Sequence, residues 1–193
     1  MRYPNKRRKG GDVQDTHLLI PRSVGGLTNE RTNLKVWMTI TLGLYHNVDA
    51  LLEALTSQDC CISNDAEWTM RQANFIVSSE ISKVDLVLAS ARQLGLRRDS
   101  HYGNIFDCGI GRGLQPCSAE IAPQLRRQYV NQPEGEILRI VARERITDEK
   151  GRRKIFAMMQ SEGRPYLDTC GGWTEICYRL DDIFVWSLPR KIL

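Results

Sequence analysis

A chain of 193 residues with 41% hydrophobic and 26% charged residues is long enough to bury its own core and too apolar to be disordered throughout. Its formal charge of +4 is unevenly placed: residues 1–35 hold eight Lys/Arg against three Asp/Glu, whereas residues 36–193 hold nineteen against twenty. No run of eighteen apolar residues occurs, and Met1-Arg2-Tyr3-Pro4 leads into charge rather than an apolar signal core, which argues against a spanning helix and against secretion by the usual route.

Residues 1–16 lack apolar periodicity, include Gly10-Gly11, and gather Arg2, Lys6, Arg7, Arg8 and Lys9 into a flexible basic arm. Like charges in a short cluster repel one another and gain most by condensing onto phosphates or anionic lipid heads, with release of counterions. Nucleic acid, RNA included, and an anionic membrane surface both meet that requirement. A solvated arm serving solubility or nuclear import is the plainer reading of Lys6-Arg-Arg-Lys9.

From Leu34 to Leu42 the pattern alternates, with Leu34, Val36, Met38, Ile40 and Leu42 on one side and Lys35, Trp37, Thr39 and Thr41 on the other, which predicts a strand. Val48 to Leu55 follows as a short amphipathic helix. Ser63-Asn64-Asp65 supplies cap residues for a longer helix, in which Met70, Ala73, Val77, Ile81, Val84, Leu88 and Ala91 recur at steps of three and four until Gly95 stops it. Residues 97–118 are rich in Gly and polar residues and read as a surface loop. The glycines of Gly109-Ile-Gly111-Arg112-Gly113 lack the preceding strand and following helix that a nucleotide fingerprint needs.

A helix is predicted from Pro123 to Val130, with the proline in its first turn. Glu136 to Thr147 and Arg152 to Gln160 read as strands around the turn Asp148-Glu-Lys-Gly151, and Thr174 to Leu188 supplies one or two more. Arg139, Val141, Arg143 and Arg145 then share one strand face and, with Arg152, Arg153 and Lys154, compose a second basic surface; an ordinary solvated face neutralised by Glu144, Glu149 and Glu162 is the alternative. The expected fold is α+β: a flexible basic N-terminal arm (1–16) and a single compact domain (17–193, with a sub-division near 97–118), helical in its central region, with a small antiparallel sheet in the C-terminal third.

The six cysteines, Cys60, Cys61, Cys108, Cys117, Cys170 and Cys177, contain no C-x-x-C pair, so reduced thiols in a cytoplasmic or nuclear setting are the simplest account. A zinc site built from Cys108, Cys117 or the Cys170/Cys177 pair with His101 would match none of the familiar spacings.

One segment carries a partial motif. His17, Pro21-Arg-Ser23, Gly25-Gly26, Thr28 and Asn33-Leu34 resemble the HNH endonuclease family over about thirty residues. That resemblance implies a divalent metal that stabilises phosphate charge and a His that activates water. By position, His17 falls at the ligand place, Leu18 at the general-base place, Asn33 at the Asn place and His46 at that of the final His. Leu18 cannot take a proton, the interval from Gly26 to Asn33 is one residue longer than usual, and a strand pattern follows where the family has a helix.

These features point first to a non-enzymatic binding and assembly protein that docks on a polyanion through Arg2, Lys6, Arg7, Arg8 and Lys9, with Arg139, Arg143 and Arg145 as a second contact and no cofactor. Its core would mediate self-association or assembly with other proteins. In size, reduced cysteines and basic amino terminus such a chain is similar to viral matrix and nucleocapsid-associated proteins, which implies a structural, intracellular or virion role. The alternative is a divergent or degenerate HNH-type nuclease using a divalent metal at His17, Asn33 and His46.

Overall fold

In the computed structural model, which describes residues 34–172 and 176–189, the alternating segment after Leu34 is strand β1 (Met38–Leu42), with Ile40 and Leu42 buried and Thr39 exposed. Helix α1 (Val48–Thr56) begins where the Asn47 side chain accepts from the Ala50 N–H, and it buries Leu51, Leu52 and Leu55. A two-residue strand β2 (Cys61–Ile62) leads into α2 (Asn64–Met70), capped by Ser63, whose hydroxyl accepts from Ala66 N at 3.1 Å and donates to Asp168 at 2.6 Å.

The long helix predicted from Ser63 towards Ala91 is not formed. Helix α2 stops at Met70, residues 71–81 are a loop, and Ser82–Ser90 is strand β3. Two positions the helix needed inside, Ala73 and Ile81, are exposed. The reason lies in β3 itself. Leu86, with Val84 and Leu88, enters the core on one face of the sheet, while Val87 and Ala89 enter the core on the other. A strand buried on both faces reads as a near-continuous apolar run, and such a run satisfies helical steps by coincidence. Gly95, at φ +92°, closes the turn that leaves β3.

Residues 97–118, expected as a loop, contain strand β4 (Ser100–His101) and helix α3 (Tyr102–Gly111). Tyr102, Ile105 and Gly109 are its buried stripe, and Gly109 lies flat on the indole of Trp186: a Cβ there would stand 2.1 Å from the ring. Gly109 therefore permits packing. Helix α4 (Ile121–Gln128) matches the predicted helix, and it is followed by β5 (Ile137–Ile140), β6 (Lys154–Ser161), β7 (Arg164–Gly171), β8 (Cys177–Tyr178) and β9 (Ile183–Ser187).

Seven of the strands form one mixed sheet in the order β1-β3-β9-β5-β6-β7-β2, while β4 and β8 form a separate antiparallel pair. This corrects the expected small antiparallel sheet of the C-terminal third: strands from Met38 to Ser187 enter the main sheet, which is the body of the fold, and it includes two parallel pairings, β5 with β9 and β2 with β7. The chain is α+β, with a curled half-barrel sheet and four helices among the described residues.

The curl follows from α4. Helix α4 touches β1, β6 and β7. Strands β1 and β7 are five places apart in the sheet, which would be about 24 Å if it were flat, against a helix about 10 Å across. Only a sheet wrapped around the helix brings both to it. Enclosure by the sheet and α1 accounts for the burial of six consecutive residues, Ile121 to Arg126. At the β1 edge, Gln128 of α4 accepts from Thr41 N–H and donates to Thr41 C=O, both at 2.9 Å, and so occupies backbone groups that an edge strand would present to another chain. The opposite face is covered by α3 and the β4–β8 pair, where Tyr102, Tyr178, Phe184 and Trp186 form an aromatic layer.

Candidate polyanion-binding surface

Arg2, Lys6, Arg7, Arg8, Lys9, His17 and Asn33 lie outside the described residues. His46 is exposed in the bend before α1. Among the described residues no three His, Cys, Asp or Glu side chains are grouped as a metal would need, and this covers His101 with Cys108, Cys117, Cys170 and Cys177. All six cysteines are free thiols, and burial pushes the Cys60 thiol up to about 11.

The basic residues placed on one strand face by the sequence part company in the structure. Strand β5 ends at Ile140, so only Arg139 is in the sheet. Its guanidinium pairs with Asp182 at 3.2 Å, both side chains being largely covered, and stacks over Tyr178 at 5.2 Å. Arg152 pairs with Asp148 at 2.7 Å, buried Lys154 reaches Asp65 at 3.1 Å, and Arg153 lies over the Tyr102 and Phe106 rings. Each of the four is engaged by a neighbour within the domain, Arg152 at its surface. Arg143 and Arg145 are exposed and form no ion pair among the described residues.

Backbone bonds fix where those two arginines stand. Arg143 N–H donates to Cys117 C=O at 2.7 Å, and the intervening Glu144 carboxylate accepts from Ala119 N–H at 2.8 Å, so the segment is held against the entrance to α4. The 71–81 loop is bound to the same segment: Gln72 donates to Thr147 C=O and Asn74 donates to Arg145 C=O at 3.2 Å. The Glu120 carboxylate, almost wholly buried, accepts from Ser78 N–H. The surface around Arg143 and Arg145 is thus built from three stretches far apart in sequence. The helical reading of 63–91 hid this loop; the β-branched pair Ile76-Val77 and the pair Ser78-Ser79 were the signals against it.

A buried polar cluster closes the C-terminal end of α4. The Arg126 guanidinium, 2% exposed, donates to Gln132 Oε1, Tyr129 C=O and, at 3.4 Å, Met159 C=O; burial lowers its pKa. Gln132 in turn donates to Glu136 C=O and Met158 C=O at 3.2 Å. These bonds satisfy the chain as it leaves the helix. A surface cavity of about 330 Å³ between α1 and α2 has Glu53, Glu67 and Arg71 on its walls, but Arg71 is already held by Asp49 at 2.6 Å and Glu67 at 3.0 Å.

No helix among the described residues is long and apolar enough to cross a membrane. Compared with known proteins, the chain matches no family model, no curated protein and no solved structure.

Proposed function

We infer that the protein is a non-enzymatic binding protein that docks on a polyanion, either nucleic acid or an anionic membrane surface, through Arg2, Lys6, Arg7, Arg8 and Lys9, with Arg143 and Arg145 as the folded domain's own contribution. The observation that carries this reading is the segregation of charge: residues 1–35 hold all of the chain's net positive charge, while the rest is close to balanced. Within the domain, Arg139, Arg152 and Lys154 are paired with Asp182, Asp148 and Asp65 and Arg153 lies over Tyr102 and Phe106, whereas Arg143 and Arg145 are exposed and form no ion pair among the described residues. The partial HNH motif adds little to a nuclease reading, because Leu18 offers no base to activate water.

The test is titration of the full chain and of a chain lacking residues 2–9 against single-stranded RNA, duplex DNA and anionic vesicles over a range of salt. Deletion weakens binding and flattens its salt dependence. Unchanged affinity for all three ligands after the deletion would overturn the reading.

A further inference from the structure

Strand β3 leaves the sheet through a turn rich in arginine. From Ala91 to Asp99 the chain reads Ala-Arg-Gln-Leu-Gly-Leu-Arg-Arg-Asp, and neither lysine nor glutamate occurs between Leu86 and Ala119. Backbone bonds close the turn: Leu94 N–H donates to Ser90 C=O at 3.0 Å and Leu96 N–H to Ala91 C=O at 3.1 Å. Arg97 and Arg98 then stand exposed just before β4.

Two other stretches are fastened to this turn. Strand β4 pairs with β8, the Asp99 carboxylate accepts from Leu180 N–H at 2.9 Å, and Leu180 C=O accepts from Arg92 N–H at 2.9 Å. These bonds bring exposed Arg179 to the turn. From the end of α3, Arg112 donates from Nε to Leu94 C=O at 3.1 Å, and its guanidinium lies 2.9 Å from where a Cβ on Gly95 would stand. That bond fixes a guanidinium without neutralising it, since a carbonyl has no net charge and the carbonyls ending a helix offer only a partial one.

The charge gathered here is unequal. Arg92, Arg97, Arg98, Arg112 and Arg179 meet two exposed acids, Asp99 and Asp181. Asp181 is taken by Arg92 at 3.0 Å, and half-buried Asp182 by Arg139 at 3.2 Å. Exposed Asp107, five residues before Arg112, lies on another side of α3. Arg97, Arg98, Arg112 and Arg179 form no ion pair among the described residues.

We propose that this end of the domain is a nucleic-acid contact, in which Arg97, Arg98, Arg112 and Arg179 bind backbone phosphates. The excess charge is carried by guanidinium groups alone, whose planar forks match phosphate oxygens in pairs. An anionic leaflet would instead ask for aliphatic side chains to enter it beside the cations. Ile110, 44% exposed, is the large exposed hydrophobic that these arginines have beside them in the chain, and one such side chain makes no apolar face. The assignment rests on the polyanion reading and gives that reading one ligand class.

The experiment is titration of the full chain with duplex DNA, and in parallel with phosphatidylserine vesicles, over a range of salt. The variants are Arg97→Gln with Arg98→Gln and Arg179→Gln, the same three positions changed to lysine, and deletion of residues 2–9. The three arginines are exposed, so the glutamine variant keeps the parent melting temperature. It flattens the slope of log affinity against log salt on DNA by up to about 2.7 and loses tenfold or more in affinity at about 0.1 M salt. Its vesicle binding is unchanged. The lysine variant restores the slope, because each phosphate is again neutralised.

An unchanged slope in the glutamine variant overturns the inference, as does a loss on vesicles equal to that on DNA, or a slope that lysine fails to restore. Failure of the arm is read separately. If deletion of residues 2–9 flattens the slope and the glutamine variant does not, this contact falls and the polyanion reading stands; in the reverse case the arm reading falls and this contact stands.

Discussion

Two glycines of α3, two residues apart, answer opposite steric questions. A Cβ on Gly109 would stand 2.1, 2.3 and 2.6 Å from three ring atoms of Trp186, whereas a Cβ on Gly111 would meet nothing within 4 Å. Ordinary carbon contacts lie at about 3.5–4.0 Å, so the Gly109 overlap exceeds 1 Å. The indole is fully buried in β9 with Phe106 packed beside it at 6.3 Å between centroids. Overpacking of this kind costs about 1–3 kcal/mol and more when backbone must move. Alanine regains up to about 1 kcal/mol over glycine inside a helix, and less at its end.

Gly109→Ala therefore destabilises by roughly 2 kcal/mol net, and at about 2–4 °C per kcal/mol for a domain of this size the melting temperature falls by about 4–8 °C. Gly111→Ala leaves it unchanged or raises it slightly. Thermal unfolding followed by circular dichroism compares the two directly. A Gly109→Ala chain that melts at or above the parent would refute the packing argument. A second check is the double variant: Trp186→Leu removes the atoms that the new Cβ strikes, so the alanine costs less in that background by 1 kcal/mol or more. Strict additivity would show that the indole is not what Gly109 accommodates.

Two further outcomes concern the edge and the titration of the core. Gln128→Ala leaves the Thr41 N–H and C=O without their side-chain partner; it lowers stability by about 1–2 kcal/mol in urea unfolding and increases concentration-dependent self-association measured by sedimentation. No change in either would mean that water serves the β1 edge as well as Gln128 does. Burial pushes the Cys60 thiol from 9.0 up to about 11 and the Tyr129 hydroxyl up to about 12, and Cys117 and Tyr178 are raised by the same cause. In the interval from pH 9 to pH 11 the unfolded thiol releases a proton that the folded one keeps, so this contribution is complete below pH 9 and is lost as pH rises. The urea midpoint accordingly falls across that interval, and Cys60→Ala flattens part of the fall; a midpoint that holds level to pH 11 would contradict it.

What the sequence made legible was whatever depended on neighbours along the chain. Helix α1 has a local cap at Asn47 and a one-sided stripe of Leu51, Leu52 and Leu55, and β1 alternates because one of its faces is wet. Strand β3 hid its nature because its two faces are covered by layers that lie far off in sequence, α1 and α4 on one side and α3 with the β4–β8 pair on the other. Strand β7 gave no signal at all: it begins Arg164-Pro165, contains one fully buried aliphatic residue, Leu167, and is in the sheet because the turn at Glu162-Gly163 folds it onto β6. The basic set was visible as composition, but the fate of Arg139 depended on Asp182 and Tyr178, about forty residues downstream. The loop that frames Arg143 and Arg145 was read as helix, so exposed Ile81 was counted among core residues.

The ion pairs of the domain define what its charge can do outside it. Arg71 with Asp49 and Glu67, Arg92 with Asp181, and Arg164 with Asp59 are exposed pairs, which solvent screens and which do not explain the fold's stability. Their consequence is electrostatic: a cation already neutralised by a neighbour releases few counterions when a phosphate arrives. Counterion release on duplex DNA gives a slope of log affinity against log salt of about 0.9 for each phosphate neutralised. Deleting Arg2, Lys6, Arg7, Arg8 and Lys9 therefore flattens the slope by up to about 4.5, and Arg143→Gln with Arg145→Gln by up to about 1.8. Arg139→Gln leaves the slope where it was, because its guanidinium is held by Asp182 and covered by the protein. If Arg139→Gln flattened the slope as much as either exposed arginine does, the division between committed and free cations would be wrong, and the charge that meets the polyanion would have to be sought on the sheet.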